Sequence, residues 1–163
     1  MPDFSIRLAN DDLTFCASHF ITFQSGACEA LHGHDYHLVV ELQGPLNSQQ
    51  YVVDFVVLHE ALKSMLKELD HRVLLPRNHP HINIQTLGNE LEVALGGRRW
   101  VLPKEDCLLL PVANTTSEML AQYLAERIFQ ELAERKIALP KHIRVELRES
   151  NGFTAICQFA GDK

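Results

Sequence analysis

The chain has 163 residues, 46% of them hydrophobic and 22% charged, ordinary proportions for a globular protein long enough to bury a core without staples. A net charge of -6 argues against a broad basic surface, so nucleic acid is not an expected partner. No apolar run approaches the ~18 residues of a membrane span, and the first residues lack the basic-then-apolar pattern of a secretory leader. Four scattered cysteines, Cys16, Cys28, Cys107 and Cys157, read as reduced thiols of a cytoplasmic protein with no membrane partner.

Residues 4–8 alternate weakly and read as an edge strand. Residues 13–23 carry aromatic and β-branched side chains and read as a second strand, with 36–42 as its partner and 24–31 as the loop between. Gly44-Pro45 ends that partner. Residues 51–55 read as a short strand. Leu58, Ala61, Leu62, Met65, Leu66 and Leu69 recur at helical spacing and predict a helix that ends near Asp70-His71. Residues 76–81 read as a loop. Residues 91–95 and 99–102, joined at Gly96-Gly97, predict a hairpin, and 107–110 a short buried strand. Thr115 as N-cap with Glu118 three positions on makes a capping box for a second helix. That helix carries a stripe of Leu120, Tyr123, Leu124, Ile128 and Leu132 and is stopped by Pro140. Strands at 143–147 and 154–159 flank a turn at Asn151-Gly152. The order predicts a single α+β domain over residues 1–163, with two helices on one face of an antiparallel sheet.

Four of the nine histidines, His19, His32, His34 and His37, fall close together. In a strand, His32 and His34 point to the same face, and Gly33 between them carries no side chain. His19 lies on the neighbouring strand and can reach the same point. Three imidazoles with no fourth protein ligand describe an open zinc site. Taken singly, each histidine is an ordinary side chain; the spacing of the three together points to a metal. His37, three residues from His34, falls on the other face and is not a ligand. His59, His79, His81 and His142 read as solvated.

Cys28 lies four residues before His32, where a dication or imidazolium makes a thiol a usable base or nucleophile. Glu29 adds a carboxylate to the same loop. Asp70-His71 offers a second acid–base pair in which the Asp orients the imidazole, or a helix end where the His meets the dipole.

Phe15-x-Ala17-x-His19, Cys28-x-x-x-His32-Gly33-His34, Val53-Asp54-Phe55, Leu69-Asp70-His71, Thr116-Ser117-Glu118 and Glu149-Ser150, in that order, resemble the 6-pyruvoyl/6-carboxy-tetrahydropterin synthase family over nearly the whole chain. The resemblance implies a tunnelling fold: a four-stranded antiparallel sheet with two helices on one face, closing into a barrel between three subunits, with two trimers stacked as a homo-hexamer. It implies Zn2+ held by His19, His32 and His34, and Cys28 as proton-shuttling base, with Asp70 and His71 as its relay. Glu149 would grip the amino-pyrimidinone edge of a reduced pterin, with Thr116 and Ser117 beside the pocket. The implied substrate is 7,8-dihydroneopterin triphosphate. It loses triphosphate to give the 6-pyruvoyl product or, with carbon–carbon cleavage, the 6-carboxy product that feeds queuosine synthesis. The Cys28–His32 gap resembles the carboxy branch. Glu29-x-x-His32-Gly33-His34 also resembles a third branch, which cleaves dihydroneopterin to 6-hydroxymethyl-dihydropterin for folate synthesis. A non-catalytic pterin- or metal-binding relative would not need Cys28, Asp70 and His71 together. Residues 81–110 form a stretch longer than in compact members and read as an added surface hairpin.

Overall fold

The structure is a computed structural model that describes residues 3–24 and 26–160; Ser25, part of the expected 24–31 loop, lies outside the described residues. Ten strands and two α-helices follow in chain order: β1 (Phe4–Leu8), β2 (Thr14–His19), β3 (His32–Gly44), α1 (Phe55–Leu69), β4 (Arg72–Pro76), β5 (Asn83–Leu87), β6 (Glu90–Leu95), β7 (Arg98–Pro103), β8 (Cys107–Leu110), α2 (Ser117–Glu134), β9 (His142–Glu149) and β10 (Thr154–Ala160).

The α+β class and the two helices are as expected, but the main sheet is larger and mixed. Its strands run β10-β9-β3-β2-β4-β8, with β1 also on β3, seven in all. β4 pairs parallel with β2, and β8 parallel with β4. The parallel pairing follows from the connection: α1 crosses over the sheet and returns the chain beside β2. The residues 72–76, Arg-Val-Leu-Leu-Pro, are too few to show a period.

β3 is the spine. It pairs with β2 at its start, β1 at its end, and β9 along its other edge. One face of the sheet carries Phe15, Ala17, Tyr36, Leu38, Val40, Leu42, Ile143, Val145 and Leu147, all buried in a common core with the apolar stripes of α1 and α2. A buried leucine contributes about 1.5–3 kcal/mol, so this core fixes the register of the strands that hold the histidines.

Several boundaries differ from the expectations. Residues 51–53 are not a strand; Asp54 instead caps α1, accepting from the Val56 and Val57 N–H groups. The N-cap of α2 is Thr116, whose hydroxyl accepts from Met119 N–H, rather than Thr115. Thr115 is fully buried and donates to the Phe20 carbonyl at 2.9 Å. α2 ends six residues before Pro140, because Lys136 takes a left-handed backbone (φ 56°) and the Ile137 N–H closes onto the Leu132 carbonyl.

The expected hairpin at Gly96-Gly97 is present, with Gly96 at φ 57°, but it belongs to a separate sheet of order β5-β6-β7. β5 was not legible because most of its side chains are exposed. This small sheet buries Leu91, Val93 and Leu95 against Phe20 and Leu75. Trp100 stacks on Phe20 with ring centroids 4.7 Å apart.

Candidate metal centre

The β2–β3 register places His19 directly opposite His32, and Ala17 opposite His34. All three imidazoles therefore lie on the helix-covered face, at the end of the core. Gly33 suits this pairing: a Cβ there would stand a tight 3.1 Å from the Ala17 carbonyl oxygen.

The ring nitrogens of His19, His32 and His34 lie within 4.8 Å of one another. Backbone carbonyls fix two of the tautomers. His19 Nδ1 donates to Thr115 O at 2.7 Å, and His32 Nδ1 to Ala30 O at 2.8 Å. A carbonyl only accepts, so each Nδ1 carries a proton, which makes Nε2 the ring atom turned toward the common point. The Nε2 atoms of His32 and His34 are 3.1 Å apart, close to the ~3.3 Å that two ligands at ~2.0–2.1 Å from a tetrahedral zinc would show. Burial holds His19 below the usual imidazole range and so keeps it neutral, as a metal ligand must be. The donor set and its geometry fit a metal ion.

Two carboxylates flank the histidines. Glu149 Oε2 is 4.0 Å from His34 Nε2, while its Oε1 accepts from the Ser117 hydroxyl. Glu29 Oε2 is 3.7 Å from His32 Nε2 and accepts from Ile21 N–H at 3.3 Å. Cys28 sits beside Glu29 and makes an isolated antiparallel bridge to Thr22, beyond the end of β2. Its thiol takes a contact from Arg98 Nη1 at 3.2 Å. Thr116 is spent on the cap of α2; Ser117 reaches Glu149.

Asp70 and His71 form their own pair. Asp70 Oδ2 is 2.9 Å from His71 Nδ1, and Asp70 Oδ1 accepts from Cys16 N–H at 2.8 Å. That N–H, ahead of His71, holds the Asp70 carboxyl below its ordinary value. The His71 N–H in turn donates to Cys16 O. The pair is thus anchored on β2 three residues before His19, with the His71 ring 81% exposed.

Two neighbours escaped the sequence reading. Tyr36 is fully buried, and its hydroxyl stands 3.4 Å from His19 Nε2. Burial pushes its phenol upward. Its position two residues after His34 was the available signal, since alternation puts it on the same face. Thr115 acts through its carbonyl, which carries no sequence signal. Among the other histidines, His37 lies on the opposite face, and His81 and His142 are exposed. One departs from the solvated reading. His79 bonds Thr22 Oγ1 at 2.8 Å and accepts the His81 and Ile82 N–H groups, whereas His59 pairs with Asp12 at 2.9 Å at the surface. A cleft of about 590 Å³ opens among Thr22, Phe23, His79, Gly96 and Asn114.

The family model for 6-pyruvoyl tetrahydropterin synthase matches residues 10–159. The chain belongs to this family. A Methanocaldococcus jannaschii protein named putative 6-carboxy-5,6,7,8-tetrahydropterin synthase is 33% identical over 141 residues, 86% of either chain. The 6-carboxy-5,6,7,8-tetrahydropterin synthase of Haemophilus influenzae is 30% identical over 118 residues, 72% of this chain and 78% of that one. The crystal structure of Plasmodium vivax 6-pyruvoyl tetrahydropterin synthase superposes with a TM-score of 0.90 at 26% identity, covering 99% of this chain and 100% of that one. A further structure of the Plasmodium protein carries alanine in place of a glutamate described as a catalytic residue. As a tetrahydropterin synthase family member the chain is an enzyme with a histidine triad able to bind a metal ion. Among the described residues no helix is long and apolar enough to cross a membrane.

Proposed function

We propose that this chain is a zinc-dependent 6-carboxy-tetrahydropterin synthase acting on 7,8-dihydroneopterin triphosphate. The observation that carries the reading is the convergence of the three imidazoles, with two tautomers fixed by backbone carbonyls and two carboxylates at their rim. The names of the curated relatives and the Cys28–His32 spacing favour the carboxy branch.

His19, His32 and His34 would hold the ion, which would supply Lewis acidity to the reaction. Glu149, oriented by Ser117, accepts the parallel N–H donors of the pterin edge. Thr116 shapes the pocket only by starting α2. Cys28 and Glu29, adjacent in the loop, are the groups that take and return a proton on the side chain. Asp70 holds Nδ1 of His71 and leaves its exposed Nε2 to exchange a second proton with solvent. As the proton leaves carbon, the bond to the triphosphate oxygen breaks and triphosphate departs; a water molecule then adds to the side-chain carbonyl next to the ring, and cleavage of the adjoining carbon–carbon bond releases acetaldehyde and leaves that carbon as the 6-carboxyl group. Product entry into queuosine synthesis and a cytoplasmic location, in keeping with four free cysteines, belong to the same reading.

The assembly we propose is a homo-hexamer whose sheets close into a barrel. Closure covers the outer edge of β10 and the exposed Phe153 and Ile156 beside it.

A second reading, cleavage of dihydroneopterin to 6-hydroxymethyl-dihydropterin for folate synthesis, has one observation behind it. The Glu29 carboxylate, rather than the Cys28 thiol, is the group of that loop facing a histidine.

The test is product analysis. The zinc-loaded protein is incubated with the triphosphate and, separately, with dihydroneopterin, and products are identified by mass spectrometry. 6-Carboxy-tetrahydropterin from the triphosphate is the expected result. The 6-hydroxymethyl compound alone would establish the second reading, and turnover of neither would contradict both.

A further inference from the structure

The loop that carries Cys28 and Glu29 is held from two sides. On the β2 side, Glu29 N–H donates to Ile21 O at 2.9 Å, and Ile21 N–H returns a bond to the Glu29 carboxylate. On the other side stands Arg98, the first residue of β7. A single guanidinium nitrogen, Nη1, reaches Glu29 O at 2.8 Å, Cys28 Sγ at 3.2 Å and Cys28 O at 3.3 Å. The hairpin that delivers it is rooted beside the metal centre, because Trp100 stacks on Phe20, the residue after His19. Arg98 thus ties the small sheet to this loop by a charged contact, beside the packing of Cys28 and Leu31 on the small sheet's core.

We propose that Arg98 is a positioning residue of this site: it holds the Cys28 thiol and fixes the Cys28-Glu29 backbone, so that the Glu29 carboxylate faces His32 and the thiol is set beside it in the same loop. The two proton-handling side chains are thereby kept on separate partners. This rests on the tetrahydropterin synthase reading of the site. Since one nitrogen makes all three contacts, lysine is the conservative replacement, whereas alanine removes them all.

The experiment compares Arg98→Ala, Arg98→Lys and the control Arg99→Ala in the zinc-loaded oligomer. Arg99 pairs with Glu92 inside the hairpin and does not touch the loop. For Arg98→Ala, zinc content and amide exchange of α1 stay at the wild-type level. Amide exchange of residues 26–31 accelerates about tenfold, and kcat falls about tenfold or more with KM within about twofold, the pattern of misplaced groups rather than lost binding. Arg98→Lys recovers kcat to within about threefold, and Arg99→Ala leaves it unchanged. An unchanged kcat, or a raised KM with kcat intact, overturns the positioning role. Should the wild type turn over neither pterin, the functional reading fails by itself, and unchanged exchange of residues 26–31 in Arg98→Ala would separately overturn the proposal.

Discussion

The two sheets place functional side chains in different ways. In the seven-stranded sheet the backbone does the placing: His19 and His32 are cross-strand partners, and His34 follows by alternation. A slip of one residue would send all of them to the opposite face, so the buried core beneath them also protects the metal centre. The three-stranded sheet puts no side chain among the histidines. It reaches the site through Arg98, on a hairpin whose small core also packs against Phe20, Cys28 and Leu31. Register-built chemistry is rigid and costs whole-fold stability to disturb, whereas hairpin-built chemistry is adjustable one residue at a time.

This contrast can be broken or sharpened by substitution. Leu38→Ala, at a fully buried position of β3, should cost about 2–5 kcal/mol in denaturant unfolding and take the metal centre with it. Cys28→Ala should reduce turnover about a hundredfold or more while zinc content stays at the wild-type level; loss of zinc in that variant would show that the loop belongs with the ligands. Val93→Ala, equally buried but in the small sheet, should cost about 1–2 kcal/mol and leave zinc bound. Ser117→Ala should release Glu149 and raise KM about tenfold with a smaller effect on kcat. The smallest effect concerns pH. The Asp70 carboxyl is lowered from 3.8 by the Cys16 N–H, so its contribution to stability is fully present above that value and is lost as pH falls through the lowered folded-state value. Unfolding curves of wild type and Asp70→Asn should therefore differ at pH 6 and converge near pH 2; a constant difference would refute the bond to Cys16 as its source.

Alternation and helical spacing made much of this fold legible. The α1 and α2 stripes and the strands of the antiparallel half show clear periods, because each has one wet and one dry face. The triad was legible for the same reason: His32-x-His34 with a third histidine on the neighbouring strand is a statement about pleat. What was missed has no period. β4 is five residues long, and β5 is mostly exposed. The start of α2 was misplaced by one residue because Thr115, Thr116 and Ser117 all suit a cap, and only tertiary structure shows that Thr115 is spent on Phe20. Arg98 was passed over for a different reason. An arginine beside a Gly-Gly turn looks like any solvated charge until the fold brings the turn against Cys28.

The central claim is that strand register builds a metal centre from His19, His32 and His34. Zinc stoichiometry, measured by inductively coupled plasma mass spectrometry on wild type and His32→Ala after dialysis against excess metal, tests it most directly. The account predicts about one zinc per chain in the wild type and less than about a tenth of that in the variant, with the fold retained by circular dichroism. Stoichiometric zinc in folded His32→Ala would contradict it.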